Sequence, residues 1–141
     1  MTTATLTRET VAPGKLLSAA AIGGVVAAVV NLALFFILPA LLNSLLRVRT
    51  PQATELEPLP FIAVIMASIV PAFVGAGLLW LLNRFTARPV TIFTVIAVIV
   101  TLLSLATPFQ LGISTTEAII LVLMHIVAGA VITYFLVTRS R

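Results

Sequence analysis

His125 is the sole histidine of a 141-residue chain. It is the only side chain here that can exchange a proton near neutral pH or give an axial bond to a haem or chlorin. Three uncharged polar side chains share its setting, each inside a long apolar run. Counted from the end of its run, Asn31 lies seven residues in from Leu38, Ser68 seven from Phe61, Thr101 five from Ala106 and His125 seven from Ala118. At about 1.5 Å per helical residue, all four reach a common level about 8–11 Å below one boundary. Such a layer, Asn31, Ser68, Thr101 and His125, either hydrogen-bonds helix to helix or lines a pocket open on that side.

The chemistry missing around this layer restricts its use. Stable metal binding needs several protein ligands, and the sequence has no cysteine, no second histidine and no carboxylate within an apolar run. No metal and no cofactor is therefore expected, and neither is a disulfide. Ser68 or Ser104 as a nucleophile would need a base oriented by a third group, and no acid is at hand. A proton relay or a carrier of charged substrates would likewise lack its parts, so the chain is expected not to be an enzyme.

The elements that carry the layer follow from composition. Hydrophobic residues make up 61% of the chain and charged residues 9%, whereas soluble domains hold about 45–50% and about 25%. Lipid is the solvent such a surface fits. Apolar runs at about 16–38, 61–82, 90–106 and 118–137 are each long enough to approach or cross a core of about 30 Å. The first is too long for a signal-peptide core. The prediction is an all-α membrane protein, a four-transmembrane-helix antiparallel bundle, with residues 1–15 as a separate N-terminal segment and 16–141 as the membrane domain.

The connections follow from turn chemistry. Asn83 to Pro89 predicts a tight hairpin, and Pro108 with Gly112 predicts the end of the third helix. Ser114 and Glu117 have the spacing of a capping box. The longest connection, 43–60, begins with Leu41, Leu42, Leu45 and Leu46 nearby, which predicts an amphipathic extension lying along the interface. Arg8, Lys15, Arg84, Arg88, Arg139 and Arg141 fall on one side and only Arg47 and Arg49 on the other. That bias predicts cytoplasmic termini and an inner-membrane location. The basic residues are scattered, which argues against nucleic acid as a partner. Trp80 and Tyr134 read as interface anchors.

Packing signals are small residues at four-residue spacing. Ala19, Gly23 and Ala27 with Ala20, Gly24 and Ala28 give the first helix a smooth face; Ser68, Ala72 and Ala76 do so in the second, around Pro71. Pro71 leaves the Ala67 carbonyl without its helical donor. Gly129 and Thr133 continue the spacing from His125 in the fourth.

The stretch VPAFVGAGLLWLLNRFTARP, Val70 to Pro89, followed by LVLMHIVAGAVI, Leu121 to Ile132, resembles the small bacterial four-helix membrane proteins classed as domain of unknown function 6069. The resemblance implies four spans and carries no reaction, substrate or catalytic residue. The sequence reading thus leaves a non-enzymatic structural or accessory component of a membrane assembly, its partners being the lipid bilayer and either further copies of itself or a larger complex. The alternative is a binder of a small apolar molecule, such as a lipid, quinone or pigment, at the polar layer.

Overall fold

Pro13, at a position where a helix needs no N–H donor, opens α1 (Pro13–Leu41). The computed structural model describes residues 8–49 and 54–141; positions 1–7 of the expected N-terminal segment and 50–53 of the long connection lie outside the described residues. α1 buries Leu16, Ala19, Ala20, Gly23, Gly24, Ala27, Ala28 and Asn31, a stripe that recurs every three to four residues. Leu17 and Val29, on the other faces, are 69% and 61% exposed. The helix is thus sorted by size rather than polarity, as expected where leucine gains nothing by leaving lipid.

That small stripe lets α1 serve as the central helix. A Cβ on Gly23 would fall 2.9 Å from the Phe135 Cβ, and one on Gly24 would fall 3.2 Å from the Ala72 Cβ. α1 accordingly packs closely against both α2 (Phe61–Phe85) and α5 (Thr115–Arg139). Pro71 lies within an unbroken α2. α3 (Pro89–Ser104) packs less extensively against α2 and α5, and buries only Pro89, Val90 and Phe93. Ser104 ends α3 because Pro108, four residues on, has no N–H to give its carbonyl. A single turn, α4 (Thr107–Gln110), carries the same apolar run further, so the third span covers Pro89–Gln110 instead of stopping at Ala106. Gly112, at φ 68°, turns the chain towards α5.

Among the described residues, four helical segments are long and apolar enough to cross a membrane: Pro13–Leu41, Phe61–Phe85, Pro89–Gln110 and Thr115–Arg139. All exceed their predicted limits by a few residues at one end or both. The α2–α3 hairpin is accordingly shorter than predicted, since Asn83, Arg84 and Phe85 remain helical.

The amphipathic extension is not what forms after α1. Asn43 takes φ 47° and ends the helical path. The chain instead pairs β1 (Arg47–Val48) with β2 (Glu57–Pro58) in an antiparallel ribbon, extended by Leu59 N–H donating to the Leu46 carbonyl at 2.8 Å. Leu41, Leu42 and Leu45 stay exposed, while Leu46 turns inward and is buried.

At the opposite end, residues 8–12 form a strap across the bundle. Glu9 N–H donates to the Ala87 carbonyl at 3.0 Å and Ala12 N–H to the Ser140 carbonyl at 2.6 Å. The Glu9 carboxylate accepts from the amides of Val90 at 2.7 Å and Thr91 at 3.0 Å, and from the Thr91 hydroxyl. A negative charge on those free amides stabilises the start of α3. The Thr91 hydroxyl is the main reason the Glu9 carboxyl is held below its ordinary range; burial opposes it, and the Thr91 and Val90 amides and Arg141 add to the lowering.

Candidate functional site

A cavity of about 210 Å³ opens between α1, α2 and α5 at the ribbon end of the bundle. Its walls are almost wholly apolar. Ala63, Val64 and Ala67 come from α2, Leu121, Met124 and Ala128 from α5, and Pro108 from α4. Val48, paired within the ribbon, and Leu59, just beyond β2, also line it. Three polar side chains interrupt this lining: Asn31 from α1 and His125 from α5, both of the predicted layer, and Thr107 from α4.

Asn31 is 5% exposed. Its Nδ2 donates to Ser68 Oγ at 3.2 Å, and Ser68 Oγ donates in turn to the Val64 carbonyl at 2.9 Å, one helical turn back. A serine has one proton. Since Ser68 gives that proton to Val64, the hydroxyl can only accept from Asn31, which fixes the amide with its nitrogen towards Ser68. The other end, Asn31 Oδ1, is buried and has no hydrogen-bond partner among the described residues. Leaving a buried acceptor unmet costs about 1–3 kcal/mol.

His125 is half-buried, and its Nδ1 lies 2.7 Å from the Leu121 carbonyl. A carbonyl only accepts, so Nδ1 carries the hydrogen, and in the neutral ring Nε2 keeps a free lone pair.

Thr101 stands apart from the other three. It lines a second cavity, about 460 Å³, between α2, α3 and α5, and its side chain packs directly over Gly129. His125, Ala67 and Ala128 line both cavities, so the two adjoin at the histidine. The predicted layer is therefore divided. Asn31 and His125 face one apolar cavity, Ser68 orients Asn31 from behind, and Thr101 meets His125 only through the second space.

The ribbon is tied to the rest of the protein by a pair that spacing does not suggest. Arg47 Nε donates to Glu117 Oε1 at 2.9 Å and Arg47 Nη2 to Oε2 at 3.3 Å. Glu117 is 1% exposed and also closes the capping box: Glu117 N–H donates to Ser114 Oγ at 3.3 Å, and Ser114 N–H to Glu117 Oε2 at 2.8 Å. The Glu117 carboxylate pushes the Arg47 guanidinium pKa up, chiefly through these hydrogen bonds. One carboxylate thus starts α5 and anchors the segment that carries Val48. Only the cap was readable from sequence. The useful further signal was that Glu117 opens an apolar helix in a chain with four acids, where a carboxylate requires a cation.

A family model described as a family of unknown function (DUF6069) matches residues 11–141. Neither the curated proteins nor the solved structures contain a match.

Proposed function

The chain belongs to this family of unknown function, and on that footing we propose that it is a non-enzymatic membrane protein that binds a small apolar molecule in the cavity beside Asn31. The observation that carries this reading is a cavity whose mostly apolar lining is interrupted only by Asn31, Thr107 and His125. Ligand sites of this kind are mostly apolar with a few placed polar groups. The volume of about 210 Å³ suits a single ring or the head of a longer molecule, since a dry apolar cavity of about 150 Å³ already accepts benzene.

An accessory role through the small-residue faces has less support. Gly23 and Gly24 meet Phe135 and Ala72 within the same chain, so that face of α1 is occupied internally. A hydrolytic role is disfavoured by the Ser68 proton, which goes to a carbonyl and not to His125. The basic-residue bias supports a multi-pass protein of the cell membrane with cytoplasmic termini, which puts the cavity and its ribbon towards the outer side.

The test is mass spectrometry of organic extracts from the protein purified in mild detergent, comparing wild type with Ala63→Phe, which fills the cavity. One apolar species in near-stoichiometric amount, lost in the variant, supports the reading. Identical extracts from the two proteins contradict it.

A further inference from the structure

We infer that the second cavity, between α2, α3 and α5, is a slot that holds one hydrocarbon chain of a bilayer phospholipid, entering between α2 and α3. It is a site separate from the cavity beside Asn31. Its volume is about 460 Å³, whereas a cavity of about 150 Å³ already admits benzene.

The slot follows from what the two helices offer each other. Ala67, Pro71 and Gly75 recur at four-residue spacing on α2 and line it, so this stripe has no large side chain with which to fill the gap to α3. α3 buries Pro89, Val90 and Phe93 next to the hairpin and nothing beyond Phe93. The helices therefore pack tightly at the hairpin and leave space further on. Phe93 and Ser104 both line that space and lie eleven positions apart, which is about 16 Å along the helix. The space is long, and it runs in the direction of lipid chains.

Two contacts bound it on the α5 side. At the hairpin end Gly75, Phe93 and Leu136 converge, since a Cβ on Gly75 would fall 2.9 Å from Leu136 Cδ1 and 3.5 Å from Phe93 Cζ. Further along, the Thr101 side chain packs over Gly129. Between α2 and α3 the slot is open: Val74 and Val100 line it and are 67% and 58% exposed. Val74 lies thirteen residues after Phe61, and Val100 ten before Gln110, so both are about 15–20 Å in from the ribbon end of their spans. That is the middle of a hydrocarbon core about 30 Å thick, where the surrounding molecules are lipid tails. A chain in the slot restores the dispersion contacts that its apolar walls otherwise lack.

The polar lining residues suit such an occupant. Ser104 Oγ donates to the Thr101 carbonyl at 2.6 Å, and His125 Nδ1 is 2.7 Å from the Leu121 carbonyl. Both side chains thus hold hydrogen bonds within their own helices. Among the described residues no charged side chain lines the slot.

The test is photolabelling of the full chain in palmitoyl-oleoyl phosphatidylcholine vesicles containing a phosphatidylcholine with a diazirine near the end of one chain, with labelled positions mapped by peptide mass spectrometry. Phe93 and Ile132 discriminate. They line the slot but are 3% and 7% exposed, so a lipid lying against the outside of the bundle does not reach them. Val29 and Ile99, both exposed, report the outside. In wild type the label is expected at Phe93 or Ile132 as well as at Val29 and Ile99. Ala97→Phe, which adds a ring to the slot lining, should lose the inner labels and keep the outer ones; Val100→Phe narrows the mouth at an exposed position and should repeat the loss without disturbing the core. Ala63→Phe, which fills the cavity beside Asn31, should keep all of them, so the outcome is independent of whether that cavity is occupied. Labels confined to Val29 and Ile99 in wild type overturn the slot, as do inner labels that survive in both Ala97→Phe and Val100→Phe. Loss of the inner labels in Ala63→Phe overturns the separation of the two sites.

Discussion

The Nδ2 of Asn31 meets the Oγ of Ser68 at 3.2 Å, and this contact sets which end of the amide is left over, because the serine proton is already on Val64. Replacing Ser68 by alanine removes the partner of one amide end while the other has none. Ser68→Ala should lower stability by about 0.6–2 kcal/mol, measured by unfolding in mixed detergent micelles. The double variant Ser68→Ala/Asn31→Leu should recover most of that loss. A single variant as stable as wild type would show that the bond does not hold the amide.

Much of the architecture was readable because lipid imposes so few solutions. Four uncharged runs of about 20 residues have to be helices, and the Ser114–Glu117 spacing placed the start of α5, whereas the third span runs past Pro108 to Gln110. The ribbon was not readable. Leu41, Leu42, Leu45 and Leu46 look like an interfacial helix by spacing, but the left-handed Asn43 and the pairing of residues 47–48 with 57–58 are long-range outcomes with no local pattern. The site was half-legible for a similar reason. Depth along a helix follows from counting, so Asn31, Ser68 and His125 could be put at one level, whereas rotation about the axis depends on packing. That rotation is what separates Thr101 from the cavity beside Asn31.

Gly23 tests the central position of α1. A side chain there meets Phe135 Cβ at 2.9 Å, an atom held rigidly by its own helix. Gly23→Val should destabilise by about 1–3 kcal/mol through overpacking, more than the few tenths gained in helix propensity. The unfolding midpoint in detergent measures this, and a midpoint at or above wild type would mean α1 and α5 are further apart than described.

The two partners of Glu117 should separate in their effects. Ser114→Ala removes a helix cap and should cost about 0.5–2 kcal/mol of global stability. Arg47→Ala leaves the cap and frees the ribbon, so hydrogen–deuterium exchange should rise at the amides of residues 47, 48, 57 and 59 with little change in α2 or α5. Unaltered exchange at Leu59 in Arg47→Ala would remove the ion pair from the account.

Acid should release the strap at the other end of the bundle. The Glu9 carboxyl is held below its ordinary value of 4.5, chiefly by the Thr91 hydroxyl. For a lowered pKa the stabilising contribution is complete above the unfolded value and is lost as pH falls through the lower folded one. The amide resonances of Val90 and Thr91 should therefore hold steady above pH 4.5 and shift together below it. In Glu9→Gln the transition should be absent; its persistence there would assign the titration to another group.

The stability of Asn31→Leu without added ligand tests the account most directly, because a packing residue and a ligand-directed residue give opposite signs. If the amide were interhelical glue, its loss would cost about 0.6 kcal/mol or more. If Asn31 is instead kept as a polar residue of the cavity wall, leucine removes a buried unmet group worth about 1–3 kcal/mol, and Ser68 keeps its bond to Val64. The account predicts an unfolding midpoint for Asn31→Leu equal to or above that of wild type. A midpoint clearly below wild type would contradict it.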